Sequence, residues 1–297
     1  MKLDSHPHLR EIAGLNCQAQ TDYDGMELRG TMLVQYSMPE SKDKGSETVI
    51  LVPGAFDPYV GSYSDTCIRS LLEASDNGIG RVYEMHYFSS GMAGYINPEK
   101  ISDDLRRIGK SATNKPTVVA TSAGAMYLLE AIYCMNINSE INQYSKVIII
   151  GPYLPPYQNR LGVLIEKLNK SRVAQIRIRA ICGHSFLKGG SIRTGDWWKN
   201  DSEIQRALNS GRITPIDTSR KTPIYQTFFE SDVISEKGLL ILKEVFKAKT
   251  IEHPKIPGKH RSLMDIKEVD ELILSNCCSA HPSNALLDNT ELVKAIA

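Results

Sequence analysis

The chain has 297 residues, of which 41% are hydrophobic and 23% charged, a composition typical of globular proteins and long enough for one large or two ordinary domains. Its 35 Lys and Arg against 34 Asp and Glu give no electrostatic case for a nucleic acid or an anionic membrane as partner. No apolar run nears the ~20 residues that span a bilayer, and six scattered cysteines form neither a disulfide framework nor a metal-ligand set.

In chain order, the first 15 residues read as a leader or a short helix. They lack the charged-then-apolar layout of a secretory signal, so the expected location is cytoplasmic. Two strands are expected at 16–22 and 26–36, joined through Asp22-Tyr23-Asp24-Gly25 as an edge hairpin. A solvated loop covers 39–47. Thr48–Val52 is a continuous apolar run, as a strand buried on both faces requires, and it stops at Pro53-Gly54. A helix is expected over 62–75, a weaker strand over Arg81–Phe88, and a helix from Pro98 to Lys110. The strand Pro116–Thr121 runs into an Ala- and Leu-rich helix at 123–135, and the strand Lys146–Gly151 follows. Such alternation predicts a parallel sheet with crossover helices on both faces.

The alternation breaks after Gly151. Residues 152–220 carry helical pieces near 158–170 and 201–209 and the pair Trp197-Trp198. This stretch is too long for a simple loop and reads as an inserted helical cap, whose tryptophans either pack the cap or line a pocket. Regular pattern returns with a strand at Pro223–Phe229, a helix at Glu236–Lys247, a strand at Lys249–His253 and a helix near 264–275. The expected organisation is a core from 1–151 and 221–297, with the cap at 152–220.

The sharpest chemical signal is Val118-Val119-Ala120-Thr121-Ser122-Ala123-Gly124-Ala125. An apolar strand ends, a serine stands among small residues, and a helix begins at once. Small neighbours permit a strained strand-to-helix corner that lifts the hydroxyl above the sheet, and the helix N-terminus offers N–H groups to developing negative charge. The competing role for Ser122 is that of a plain helix cap. An activated serine needs a base, and the base needs an acid that fixes its tautomer. Asp232 stands just after the 223–229 strand, with Glu230 as its competitor. His260 stands in the loop after the next strand, with His253 as its competitor. His184, near Cys182 in the cap, lacks the further ligands a metal would need.

On these residues the sequence resembles the α/β-hydrolase fold family, over about residues 20–275. The nucleophile motif is A-x-S-x-G, with Ala120 where the family usually has glycine. The resemblance implies a three-layer α/β sandwich with a mostly parallel sheet of about eight strands and a cap before the acid-bearing strand. It implies Ser122, Asp232 and His260 as the catalytic triad, and an oxyanion hole from the backbone N–H of Ala55 or Phe56 together with that of Ala123. Pro53 stands where the family commonly has His, and His86-Tyr87-Phe88-Ser89-Ser90-Gly91 replaces the common Asp-x-x-Gly.

The expected activity is therefore hydrolysis of a carboxylic ester or thioester through an acyl-enzyme. Acyl transfer or carbon–carbon hydrolysis with the same triad, peptidase action, or a non-catalytic binding protein on the same fold are the alternatives. The expected partner is a small-molecule acyl substrate, free or carrier-bound, with neither metal nor organic cofactor.

Overall fold

Strands without a polar side must be covered on both faces, and the fold follows from that demand. The computed structural model describes residues 11–39, 47–54, 63–73, 79–87, 98–152, 201–217, 251–252 and 267–278. Within them the strands are β1 (Asn16–Gln20), β2 (Asp22–Tyr23), β3 (Met26–Glu27), β4 (Thr31–Ser37), β5 (Glu47–Val52), β6 (Ile79–Tyr87), β7 (Thr117–Thr121), β8 (Lys146–Ile150), β9 (Ile213–Asp217) and β10 (Ile251–Glu252). The helices are α1 (Asp65–Glu73), α2 (Pro98–Ser111), α3 (Ala123–Ile137), α4 (Ser202–Asn209) and α5 (Lys267–Cys278).

Eight strands form one sheet in the order β1-β4-β6-β5-β7-β8-β9-β10. The β1–β4 and β4–β6 pairs are antiparallel, and every pair from β6 onward is parallel. This is the expected mostly parallel α/β sheet. Alternation within its central strands divides the core in two. Val118 and Ala120 of β7, with Val147 and Ile149 of β8, join the cluster that includes α2, α3 and α4. Val119, Ile148 and Ile150 point the other way, into the cluster with α1 and α5. Both sets are apolar, which is why these strands read as unbroken hydrophobic runs. Helix α3 is buried nearly all round its first ten residues, as its uniform Ala, Met and Leu content requires.

Two expectations are corrected. The run 26–36 is not one strand. It breaks at 28–30, where the buried Asp104 of α2 accepts from the N–H groups of Arg29 (2.9 Å) and Gly30 (2.7 Å) and from the Thr31 hydroxyl (3.0 Å). Burial pushes the Asp104 pKa up, against the pull of those donors and of Arg107. The long hairpin is therefore β1 with β4, while β2 and β3 form a small separate one around Asp24 and Gly25, both at positive φ. The second correction concerns 201–217, which the sequence reading assigns to the cap. Its helix α4 packs on α3 and its strand β9 pairs with β8 in the main sheet. Asp201 caps α4 by accepting from the N–H groups of Glu203 and Ile204, a signal the sequence carried. Residues 153–200, including Trp197 and Trp198, and the expected strand at 223–229 lie outside the described residues.

Candidate functional site

β7 ends at Thr121 and α3 begins at Ala123, so a single residue turns the corner. Ser122 does so at φ 49° and ψ −120°. A side chain in such a conformation costs about 1–3 kcal/mol and persists only where its surroundings hold it. Here the backbone does. The Ser122 N–H donates to the Ile150 carbonyl at 3.1 Å, and its own carbonyl accepts from the Ala125 N–H at 3.2 Å. The Ser122 side chain makes no capping hydrogen bond to α3. That removes the plain-cap role weighed against catalysis.

Two glycines let other backbone come close. A methyl group on Gly124, in the first turn of α3, would lie 2.6 Å from the Pro53 carbonyl oxygen and 2.7 Å from that of Val52. One on Gly54 would lie 3.0 Å from Ser122 Cβ and 3.5 Å from its Oγ. The Pro53-Gly54 turn after β5 thus sits directly against the serine. Ala123, the first residue of α3, carries an N–H that no intrahelical carbonyl can take.

Two buried tyrosines reach the same turn from opposite faces of the sheet. Tyr63, in the α1 and α5 layer, places its hydroxyl 3.1 Å from the Val52 carbonyl and 3.0 Å from that of Val119. Tyr87, at the end of β6 and in the α2 and α3 layer, donates to the Pro53 carbonyl. Its ring stands edge-on to Tyr127 of α3, with centroids 5.8 Å apart. Burial raises the pKa of both hydroxyls well above the ordinary tyrosine range, so both stay protonated and able to donate.

Of the sequence-predicted site residues, Ser122 and Ala123 come together here with the turn that leads to Ala55 and Phe56. Ala55, Phe56, Asp232 and His260 lie outside the described residues, as do Glu230, His253 and His184. Sequence reasoning missed Tyr63 and Tyr87. In the sequence the segment containing Tyr87 stands out only by its departure from the family pattern. Its place on the same strand face as Tyr83 and Met85 is the signal that could have pointed inward.

The register adds one placement. Thr121 pairs with Ile150, Ile150 with Ile216, and Asp217 with Glu252. Asp217 therefore ends β9 one row past Ile216, level with Ser122 and two strands away, roughly 10 Å at the usual interstrand spacing. Among the described residues, no group of three or more His, Cys, Asp or Glu is arranged to hold a metal ion. No helix there is long and apolar enough to cross a membrane.

No protein-family model matches the chain, and no curated protein sequence does. Solved structures do. A Pyrobaculum calidifontis esterase aligns at TM-score 0.53 and 14% identity, over 90% of this chain and 85% of its own. One of two fungal esterases from Rhizomucor miehei aligns at TM-score 0.52 and 12% identity, over 93% and 84%. The protein ESTFA, in an FE-lacking apo form, aligns at TM-score 0.50 and 13% identity, over 94% and 87%. At such identities the likeness speaks for the architecture alone. Sheet order, crossover helices and the strained serine between β7 and α3 agree with it: the chain has the α/β-hydrolase fold.

Proposed function

We infer that this protein is a serine hydrolase that cleaves a carboxylic ester or thioester through an acyl-enzyme. The observation that carries this is Ser122, held at φ 49° without a capping role and faced by the Pro53-Gly54 turn. Helix caps need no such strain, whereas a nucleophile that must stand clear of its own backbone does. The esterases among the structural neighbours support the same chemistry.

In this mechanism the Ser122 Oγ attacks the acyl carbon and His260 takes its proton. The carbonyl electrons move onto oxygen, where the N–H of Ala123 and that of Ala55 or Phe56 receive the charge. Collapse expels the leaving group, protonated by His260. Water, deprotonated by the same imidazole, then attacks the acyl-enzyme, and the carboxylic acid leaves with Ser122 restored. Asp232 holds the imidazole in the required tautomer. The cap segment supplies the acyl pocket.

One observation favours a second assignment of the acid. β9 occupies the place beside β8 and ends at Asp217 in the Ser122 row, and His253 follows β10 directly in the chain. Labelling with a fluorophosphonate, followed by mapping of the adduct, tests the nucleophile: an adduct on any serine but Ser122 removes this function. Asp232→Asn and Asp217→Asn separate the acids. The true acid should lose about 10⁴-fold in kcat and the other only a few-fold; the larger loss in Asp217→Asn would transfer the role to β9.

A further inference from the structure

The turn that faces Ser122 has its first two carbonyls met from both sides of the sheet. Tyr87 donates to the Pro53 carbonyl from one face, and on the other the Tyr63 hydroxyl is shared between the Val52 and Val119 carbonyls. Thr121 Oγ1 also lies 3.4 Å from the Val52 carbonyl. Gly124 closes the remaining side, too near both oxygens for any larger residue.

We propose that Tyr87, with Tyr63 in support, is a positioning residue for the oxyanion turn. The peptide group is planar, so fixing the Pro53 carbonyl also fixes the direction of the Gly54 N–H. Only the two backbone torsions of Gly54 then separate that fixed plane from the Ala55 N–H. Glycine is the residue least able to hold its own torsions, so the plane before it must be held by something else. Pro53 cannot help as a donor, because it has no N–H. Where the family commonly places a histidine in the turn itself, this chain supplies the anchoring hydrogen bond from the end of β6. The proposal rests on Ser122 being the nucleophile and the Pro53-Gly54 turn leading into its oxyanion hole.

A bond that only satisfies a buried carbonyl would affect folding and nothing else. Tyr144 provides the matched case. It is equally buried, at 3% exposure like Tyr87, and its hydroxyl donates to the Leu105 carbonyl in α2, away from the turn. The experiment compares Tyr87→Phe with Tyr144→Phe, reading thermal midpoint, kcat and KM for p-nitrophenyl butyrate, and the rate of fluorophosphonate labelling. Tyr87→Phe should lower kcat and the labelling rate together by about 10-fold, the effect of a shifted rather than a deleted donor, with KM within about twofold. Tyr144→Phe should lower the thermal midpoint similarly with kcat unchanged. Tyr63→Phe, in which Thr121 still faces the Val52 carbonyl, should lower kcat by a smaller factor; it decides the matter if Tyr87→Phe does not fold. Equal kcat in wild type and the folded tyrosine variants would overturn the proposal while leaving the hydrolase intact. Ester turnover that survives in Ser122→Ala would overturn the nucleophile assignment, and the role of the turn with it.

Discussion

At the carboxyl end of the central strands a buried tyrosine donates to the Pro53 carbonyl; at the opposite end Tyr144 donates to the Leu105 carbonyl at 2.5 Å. The same bond serves different surroundings. Around Tyr144 the neighbours are scaffold. Gly109 of α2 lies against its ring, the Gln143 N–H donates to the Gly109 carbonyl at 2.6 Å, and Glu140 is held by Arg106 and Lys110. Around Tyr87 the backbone includes a strained serine and a turn of proline and glycine. A fold can carry strain at one site only if the rest of it is stable enough to hold that site in place. Well-satisfied polar groups at the amino end therefore matter to the carboxyl end through global stability, not through contact.

Variants at Ser122 should mark this contrast most strongly. Ser122→Ala should lower ester turnover by about 10⁴-fold or more while keeping the strained backbone. Ser122→Gly should be equally inactive but more stable than the alanine variant, by ~1 kcal/mol. That figure sets about 1–3 kcal/mol of relieved strain against about 0.5–1 kcal/mol for the greater entropy that glycine loses on folding. Chemical denaturation of the two variants reads the difference; equal stabilities would mean that Ser122 stores no strain.

The two packed glycines form the next test. Gly124→Ala drives a methyl group onto two backbone carbonyls, which cannot yield without moving the turn. It should cost about 1–3 kcal/mol and at least about 10-fold in kcat. Gly109→Ala places its methyl 2.7 Å from the Tyr144 ring. It should cost a similar amount, the alanine-over-glycine gain of about 1 kcal/mol in a helix applying to both, and leave kcat unchanged. Paired thermal melts and ester assays check both. A kcat loss in Gly109→Ala would show the two ends to be coupled.

The smallest effect concerns pH at the amino end. Burial opposes ionisation of Glu140, but the bonds from Lys110 and Arg106 outweigh it and hold its pKa below the usual glutamate range. Its folded form thus favours the charged state. The resulting stability is fully present above the unfolded glutamate pKa, near ~4.3, and is lost as pH falls through the lower folded value. Glu140→Gln should remove at most about 1 kcal/mol at neutral pH, as partly exposed ion pairs do, and almost nothing once the pH is below both values. Denaturation at pH 7 and at successively lower pH through the glutamate range measures this, and a difference that does not shrink as pH falls would assign the loss to something other than charge.

The sequence by itself determined the parts governed by local pattern. Continuous apolar runs at 48–52, 116–121 and 146–151, short and closed by turn residues, read as strands covered on both faces, and they are β5, β7 and β8 to within a residue. Small residues around Ser122, between an apolar strand and an apolar helix, permit the strained corner. Tertiary structure decided what depends on partners far along the chain. The run 26–36 breaks because Asp104, more than seventy residues away, takes the N–H groups of 29 and 30. The segment 201–217 belongs to the core because β8 presents an open edge for β9. Nothing local distinguishes Tyr87 from any other strand tyrosine. Its hydroxyl meets the Pro53 carbonyl only because β5 and β6 are neighbours in the sheet, and a hydrogen bond between residues 34 apart exists only once that pairing has formed.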